Sequence, residues 1–516
     1  MSEATTKKKS FTDRFLDVVE GICSKLPPPA ILFCWLFLIT AILGAIFTST
    51  GVKMLNPATG KDVVSQNLFT AAGVKWFLDN MVKNFTGFAP LGLVLTMTLA
   101  IGFCEESGLL VAMLRGVLKN VPPAIVPYVI AFLGTMGNLA SDTAMIVIPP
   151  LAAVVYIGVK KNPIAGMLVG YAGAQAGFSA NLMIAGTDSL LQGLTNKAIE
   201  AFLGHNNYTI EVTSNWFFMM ASTFLCAFVI GLVSILVIEP RIGPYNPPAD
   251  VEPVKFDELV PIERKGLRIS GVTVAIYIVI LVIGYYSGLL SNKGQLVGSL
   301  LLSGLIPILF IFFSSAGISY GLATKKFKTA IDVNKAMVKQ MSAMGAYVIF
   351  CFFCGQFQAL FNWTQLGTML AIKGADFLKS VQFTGRAMWV AFIIICALVN
   401  IIVSSGSAKW AILAPVFVPM FMLLGYHPGF TQLLYRLGDS PGNCFTPMSP
   451  YIWMILSVAQ QKYNKDVNIG TLISNMIPVA LVLQVAWIIF LLIWSIGYKL
   501  PIGPGVGYFL PAGIMP

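Results

Sequence analysis

Long apolar runs dominate the chain, and polar residues are concentrated in short segments between them. A helix that spans a membrane needs about 20 predominantly apolar residues. Runs that approach or exceed this length fall at 28–47, 88–103, 216–238, 269–286, 297–323, 343–360, 388–403 and 473–496. The first run lacks a convincing cleavage site, so we interpret it as a transmembrane helix and not as a signal peptide. The pattern predicts an all-α polytopic membrane protein.

Two further regions, at about 134–190 and 404–451, are apolar but interrupted by Gly, Pro, Ser and Asn. Four landmarks recur between them at a spacing of 265 or 266 positions: Ser141 and Ser407, Pro149 and Pro415, Pro163 and Pro428, and Gly177 and Gly442. Matched interruptions of this kind are typical of transporters built from inverted repeats, with the binding site where the broken helices meet. We therefore expect two membrane halves, 28–239 and 269–497, each containing one hairpin region.

Composition narrows the class of protein further. Apolar residues make up 57% of the chain, charged residues make up 11%, and the mean hydropathy is +0.80, which excludes a water-soluble globular protein. The net charge of +11 comes mainly from the segments between apolar runs. By the positive-inside rule, we expect the N-terminal segment 1–27 and the loop 240–268 in the cytoplasm. The tail 498–516 follows the second membrane half.

Motifs for other chemistries are missing from the sequence. It contains no phosphate-binding loop of the Walker type, and Gly503, Gly505 and Gly507 lie in a Pro-flanked tail that does not fit a dinucleotide fingerprint. Cys351 and Cys354 form one C-x-x-C without a second pair or a nearby His. We expect no enzyme, no cofactor, no metal beyond a transported ion and no nucleic-acid partner. By elimination, the energy source should be an ion gradient.

Ionisable residues at membrane depth are expensive and usually functional. Five of them lie in or beside the interrupted regions: Asp142, Asp188, Lys409, Arg436 and Asp439. Arg436 and Asp439 are three residues apart, so on a helix they share a face and are expected to form an ion pair. That pairing would leave Asp188 as the more exposed carboxylate. The alternative is that the pair only neutralises its own charges.

Neutral oxygen donors also cluster at the interruptions. Ser179, Asn181 and Thr446 lie at expected hairpin tips, and their oxygens suit Na⁺ or hydrogen bonds to a substrate. The alternative is that they only cap half-helices. The candidate ion-binding residues are Asn138, Asp142, Ser179, Asn181 and Thr446. Na⁺ is preferred over H⁺ as the coupling ion on these ligands.

Six motifs resemble one family over nearly the whole chain. They are LPPP at 26–29, NFTGFAPLG at 84–92, ESG at 106–108, GFSANL at 177–182, GSAKWA at 406–411 and YRLGDS at 435–440. Together they are similar to the p-aminobenzoyl-glutamate transporter (AbgT) family, within the ion-transporter superfamily. The resemblance implies a homodimer whose protomers have nine transmembrane helices and two re-entrant hairpins. One departure is Pro441-Gly442, which is not expected there in the family.

The resemblance also implies which residues bind substrate. They are Asp188, Asn400, Ser407, Trp410, Pro428, Arg436, Asp439 and Pro447. In this interpretation Trp410 stacks on an aromatic ring, and Arg436 or hairpin N-termini receive carboxylates.

Three functional hypotheses follow. The first is an ion-gradient-driven transporter of the small anionic substrate p-aminobenzoyl-glutamate, or a related aryl-amide dicarboxylate, in the lipid of the bacterial inner membrane. The second is efflux of sulfonamide-type antimetabolites, which are chemically similar aryl amines. The third, from another class, is an ion channel or membrane scaffold. Interrupted helices in repeats favour alternating access over a continuous pore.

Overall fold

Helices account for most of the described residues. The computed structural model describes residues 29–57, 59–118, 121–140, 143–245, 259–291, 299–402, 405–446 and 449–514. The helices of the first half are α1 (Pro29–Ser49), α2 (Ala71–Thr86), α3 (Ala89–Ser107), α4 (Leu109–Leu118), α5 (Val126–Gly137), α6 (Thr143–Gly158), α7 (Pro163–Ala176), α8 (Gly186–Leu203), α9 (Trp216–Val233) and α10 (Glu239–Ile242). Those of the second half are α11 (Pro261–Tyr286), α12 (Leu300–Ser303), α13 (Leu305–Ala323), α14 (Ala330–Ala343), α15 (Gly345–Trp363), α16 (Leu366–Ser380), α17 (Arg386–Ile402), α18 (Gly406–Leu423), α19 (Pro428–Asp439), α20 (Pro450–Lys462) and α21 (Ile469–Leu492).

Shorter elements complete the described chain. After α1, strands β1 (Lys53–Leu55) and β2 (Asp62–Val64) form a small antiparallel hairpin. One turn of 3-10 helix follows α5 at Asn138–Ala140, and another follows α19 at Pro441–Cys444. Single π-helical turns extend α9 at Ser234–Ile238 and α21 at Ile493–Gly497. The predicted segment 1–27 lies outside the described residues, as does 246–258 within the predicted loop.

Several helices are long and apolar enough to cross a membrane. Among the described residues six qualify by length and composition: Ala30–Ser49, Trp216–Ile242, Pro261–Tyr286, Leu305–Ala323, Gly406–Leu423 and Ile469–Gly497. A seventh arises if α14 and α15, which meet at a 45° bend, are one broken span. The predicted class, an all-α polytopic membrane protein, is confirmed. The count of nine spans, the re-entrant hairpins and the domain boundaries stay predictions.

The two interrupted regions share one order of elements. In each, a helix, a short break, a helix with internal prolines, a helix that begins with Pro, a second break and a further helix follow in turn. The helices are α5 to α8 in the first half and α17 to α20 in the second. Pro149 and Pro415 are internal to α6 and α18, and Pro163 and Pro428 begin α7 and α19. The spacing seen in the sequence is therefore a structural repeat.

The starts of α7 and α19 show why this repeat persists locally. Proline at the first helical position loses nothing, because its missing N–H would have no intrahelical partner there. The preceding side chain caps the next free N–H in both cases. Asn162 Oδ1 accepts from Ile164 N at 3.0 Å, and His427 Nδ1 accepts from Gly429 N at 3.0 Å. Different residues thus provide the same cap in the two halves.

Burial separates these helices from the others. Every residue of α7 and of α19 is buried, whereas in α11 only Gly266 and Ser270 are. Close packing in the centre depends on small residues: a Cβ added at Gly173 would lie 2.7 Å from the carbonyl oxygen of Ala131 in α5. Breaks in a membrane helix are tolerated where protein surrounds them, because the freed backbone groups need partners. The centre of the protein therefore supplies the environment that the two breaks require.

Candidate functional site

A cavity of about 370 Å³ lies between the two interrupted regions. Its volume falls within the usual range for small-molecule pockets. The first half lines it with Met145, Gln175, Phe178, Ser179, Thr187, Leu190 and Leu191, and the second half with Ser405, Gly406, Ser407, Asp439, Asn443, Thr446, Ser449 and Tyr451. Four predicted site residues, Ser179, Ser407, Asp439 and Thr446, are among them. The breaks of both halves thus meet at one cavity, as the repeat predicted.

Three helices begin at this cavity. Thr187 lies in the first turn of α8, Ser405 and Ser449 precede α18 and α20 as their N-cap residues, and all three line the cavity. Helix N-termini carry partial positive charge and free N–H groups, which favour anions. The Ser405 side chain caps its own helix by accepting from Ala408 N at 3.3 Å. The arrangement suits a ligand with more than one negative group.

Two buried polar atoms on the cavity wall have no hydrogen-bond partner among the described residues. They are Thr187 Oγ1 and Asn443 Oδ1. A buried polar atom without a partner costs about 1–3 kcal/mol, so such atoms are uncommon unless a ligand or ion satisfies them. Thr187 lies at the start of α8 in the first half, and Asn443 lies in the 3-10 turn after α19 in the second half. They mark the cavity as a place where a polar ligand would be stabilised.

Asp439, the cavity's carboxylate among the described lining residues, is held by a buried cluster. Its Oδ1 forms an ion pair with Nζ of Lys409 and lies 3.1 Å from the hydroxyl of Tyr435. Asn400 connects the same groups, since its Oδ1 accepts from Lys409 Nζ and its Nδ2 donates to the backbone oxygen of Asp439. Lys409 and Asn400 are both fully buried. The charge of Asp439 is therefore neutralised from behind while its side chain faces the cavity.

Arg436 has a different partner from the one expected. Its Nη1 lies 2.6 Å from Asp188 Oδ1, and its Nη2 donates to the backbone oxygen of Ser179 at 2.7 Å. Asp188 Oδ2 also accepts from Ala185 N at 2.7 Å, which caps the start of α8. The expected ion pair between Arg436 and Asp439 is thus wrong. Asp188 was expected to be the more exposed carboxylate, but both are buried, with exposed fractions of 4% for Asp188 and 2% for Asp439. Arg436 ties α19 to the first break.

Trp410 is fully buried behind the cavity and is absent from its described lining. One face stacks on the ring of Tyr435, with centroids 4.5 Å apart, and Nε1 donates to Thr195 Oγ1 at 2.9 Å. Thr195 donates in turn to Gln432 Oε1 at 2.7 Å. In this structure Trp410 therefore positions Tyr435, which contacts Asp439, and does not present its face to the cavity.

Comparison with known proteins identifies the family. The model of the AbgT putative transporter family matches residues 14–510. The chain belongs to the AbgT family. The p-aminobenzoyl-glutamate transport protein of Escherichia coli (strain K12) is 35% identical over 510 residues, which cover 98% of this chain and 99% of that protein. The family resemblance expected from the six motifs is confirmed.

Two solved structures of family members superpose on this fold. The YdaH transporter of Alcanivorax borkumensis, whose topology is described as unusual, is 35% identical, with a TM-score of 0.85 over 93% of this chain and 100% of that chain. MtrF of Neisseria gonorrhoeae is 37% identical, with a TM-score of 0.88 over 96% of this chain and 100% of that chain. MtrF is described as illuminating a class of antimetabolite efflux pumps. The protein is thus a multi-pass member of a transporter family.

The candidate ion ligands of this AbgT-family protein lie at both breaks. Asn138 Nδ2 donates to the backbone oxygen of Thr135 at 3.1 Å, and the Asn181 amide nitrogen faces the same oxygen at 3.2 Å. Asn138 Oδ1 has no hydrogen-bond partner among the described residues. Asn138, which follows α5, and Asn181, which lies between α7 and α8, therefore meet at one carbonyl. Thr446 lies in the break between α19 and α20. Ser179, from the break between α7 and α8, lines the same cavity.

The remaining predicted site residues fall into three groups. Ser407 lines the cavity and lies 3.1 Å from Ser405, oxygen to oxygen. Pro428 begins α19, two turns before Arg436, and acts on the site only through that helix. Asp142 and Pro447 lie outside the described residues.

Three residues at or next to the cavity are missing from the predicted binding residues. Lys409 was predicted only to carry a charge at membrane depth, and Thr187 and Asn443 were not predicted. The contact of Lys409 with Asn400 has no sequence pattern, because the two residues lie on different helices, α18 and α17. Thr187 carried a usable signal, since it lies next to Asp188 at the start of a helix.

Proposed function

We propose that this AbgT-family protein is a secondary transporter of p-aminobenzoyl-glutamate or a related aryl-amide dicarboxylate, driven by an ion gradient. The observation that carries the proposal is the cavity between the two interrupted regions, with three helix N-termini on its wall. Two polar atoms of this wall have no hydrogen-bond partner in the part of the chain that the structure describes. The named substrate of the Escherichia coli relative supports the same chemical class. Membership of a transporter family also argues against an enzyme.

The cavity offers complementary groups for such a substrate. Glutamate carboxylates would bind at the N-termini of α8, α18 and α20, next to Thr187, Ser407 and Ser449. The aromatic rings of Phe178 and Tyr451 line the same cavity and would contact the aminobenzoyl ring. Trp410 would position Tyr435, and Asn400 would position Asp439. Arg436 would fix the backbone of Ser179 against α19.

We place the coupling ion at the breaks. Asn138 and Asn181 converge on one carbonyl, and Asn138 keeps a free acceptor, so neutral oxygens are available for Na⁺. Ser179 and Thr446 would add oxygens beside the substrate. Protonation of Asp439 is the other route, because its carboxylate faces the cavity and is balanced by Lys409. Na⁺ is the preferred ion.

The orientation and assembly belong to the same proposal. We place the protein in the bacterial inner membrane with its N-terminus and the loop 240–268 in the cytoplasm and its C-terminus outside, and we propose a homodimer. A probe that cannot cross the membrane should label a Cys introduced at position 510 in intact cells. Labelling of position 255 instead would reverse the assignment.

Efflux of sulfonamide-type antimetabolites is the second candidate, because MtrF is described as belonging to such a class of pumps. Both substrates are aryl amines, and they differ in anionic groups. Sulfonamides lack the glutamate carboxylates, so they would use the aromatic wall and leave the helix N-termini without an anion. The two candidates therefore predict different dependence on Thr187 and Ser407.

The deciding experiment measures labelled p-aminobenzoyl-glutamate and a labelled sulfonamide in proteoliposomes. Na⁺ and H⁺ gradients are imposed separately and in both directions. We expect accumulation of the dicarboxylate above equilibrium with Na⁺ and none after the gradient is collapsed. Accumulation with a pH gradient in the absence of Na⁺ would show that H⁺, and not Na⁺, is the coupling ion. Flux that only equalises concentrations would favour a channel, and no flux of either compound would favour a scaffold.

A further inference from the structure

A second cavity, of about 440 Å³, borders the first break. Its wall is formed by α3, α4, α5, α6, α11 and α13, represented by Ile101, Leu110, Leu133, Val147, Leu267 and Phe312. Gly137 and Leu139, which flank the candidate ion ligand Asn138, belong to this wall. The candidate substrate cavity has none of these residues in its described lining. The protein therefore has two separate cavities beside the interrupted region of the first half.

The second cavity cannot hold a charged substrate. Its described lining is apolar except for Ser270 and Cys104, and both already donate hydrogen bonds. Ser270 Oγ donates to Ala316 O at 3.0 Å, and Cys104 Sγ donates to Phe313 O at 3.1 Å. Burying a carboxylate without a partner is prohibitively unfavourable. Hydrocarbon is the chemistry that this wall accepts.

One wall of the cavity is an apolar helix that the rest of the described chain leaves largely exposed. Helix α11 is a candidate span of 26 residues, and 11% of its most apolar window is buried in the protein. Gly271 lines the cavity on this helix, is itself exposed, and a Cβ added there would meet nothing within 4 Å. An apolar helix face that the rest of the described chain leaves uncovered is a surface suited to lipid chains.

The start of the same helix is basic. Arg268 and Arg264 precede Gly271 by three and seven residues, which places them on its side of the helix. Arg268 is exposed, and Arg115 at the end of α4 lies 3.5 Å from Glu263. Between Pro261 and Gly271 on α11, three basic residues, Arg264, Lys265 and Arg268, outnumber the one acidic residue, Glu263. Basic pockets between membrane helices at the bilayer boundary favour anionic headgroups.

We propose that this cavity binds an acyl chain of an anionic phospholipid, with the headgroup against Arg268. The chain would enter beside Gly271 and pack against Gly137 and Leu139. The chain would then support the turn Asn138–Ala140, because it fills the space next to Asn138. The site is independent of which substrate the protein carries.

The test measures lipid binding to the purified full-length protein. Native mass spectrometry follows titration with phosphatidylglycerol or phosphatidylcholine of identical chains. We expect tighter binding of phosphatidylglycerol, and a loss of about fivefold in that affinity for Arg268→Gln, because one basic residue contributes about that factor. Phosphatidylcholine binding should not change in this variant.

Gly271→Phe tests the cavity itself, since Gly271 lines it and an added Cβ would meet nothing within 4 Å, which leaves room for a ring at the opening. We expect at least a tenfold loss of specific phosphatidylglycerol binding. Gly92→Phe is the matched control, because Gly92 in α3 is also exposed with open space around its Cβ and is absent from the described lining. Gly271→Leu repeats the test if the Phe variant is not monodisperse.

Three results would overturn the proposal. Equal binding of both lipids would show that the headgroup is not recognised. Unchanged binding in Gly271→Phe and Gly271→Leu would show that the lipid does not bind in this cavity. Spontaneous disulfide formation between two copies of Gly271→Cys would show that a second protein copy covers this face in place of lipid.

Discussion

Arg436 Nη1 lies 2.6 Å from Asp188 Oδ1, and this ion pair joins the last turn of α19 in the second half to the start of α8 in the first. Both side chains are almost completely buried. The same arginine donates to the backbone of Ser179, so it contacts the break as well as the helix that follows it. A buried pair of this kind makes the position of one half depend on the other.

The first prediction concerns this pair. Asp188→Asn should lower the thermal stability of the detergent-purified protein strongly, since removing one partner of a buried ion pair costs about 3–5 kcal/mol. The matched control is Glu200→Gln, which breaks the exposed pair of Lys197 and Glu200. That pair should contribute no more than about 0.5 kcal/mol. Equal shifts in melting temperature for the two variants would contradict a structural role for Asp188.

The second prediction separates coupling from folding at Asp439. Asp439→Asn keeps the size of the side chain but leaves the buried Lys409 without its carboxylate. We expect it to abolish gradient-driven transport and to lower stability while the protein still folds. Adding Lys409→Gln should restore stability, because no buried charge is then unpaired. It should not restore transport.

Transport assays in proteoliposomes and melting temperatures of the same preparations check this. Asp376→Asn, on the exposed side of α16, is the control and should transport at the parental rate. Normal transport by folded Asp439→Asn would remove this residue from the mechanism and leave the pair with Lys409 as a structural staple.

The sequence predicts the scaffold of this site better than its contacts. Apolar runs specify the membrane helices, and Pro163 and Pro428 each mark the start of a helix, because both features are local to a segment. The repeat is then visible as the recurrence of these local features. The partner of Arg436 is not local. Helical spacing puts Asp439 on the same face of the helix as Arg436. The guanidinium of Arg436 nevertheless pairs with Asp188, which is far away in sequence. Ion pairs between broken helices therefore need the tertiary structure.

The third prediction uses His427, the cap of α19 in the turn before that helix. Burial lowers the pKa of His427 to about 4, from an ordinary value near 6.5. The folded protein then binds fewer protons than the unfolded chain between these values, so stability is complete above about pH 6.5 and falls as the pH drops toward 4. The loss should be no more than about 3 kcal/mol.

His427→Asn should remove most of this pH dependence and keep the cap, since Asn162 provides the same cap in the first half. Melting temperatures between pH 4 and pH 7 measure the effect. The control is His205→Asn, because His205 is exposed and should leave the pH profile unchanged. An identical acid loss in the parental protein and in His427→Asn would assign the titration to another group.

The last prediction tests whether the unpartnered hydroxyl of Thr187 binds the ligand. Thr187 and Ser189 lie on the same helix, and both have a buried hydroxyl oxygen without a partner among the described residues, but only Thr187 lines the cavity. Thr187→Val keeps the shape of the side chain and should weaken substrate binding by about tenfold, the loss of one hydrogen bond of about 1.4 kcal/mol. Stability should be unchanged or higher, because a buried polar group is removed. Ser189→Ala should leave affinity unchanged, and substrate titration by calorimetry compares the two; equal affinities would mean that Thr187 is as remote from the ligand as Ser189.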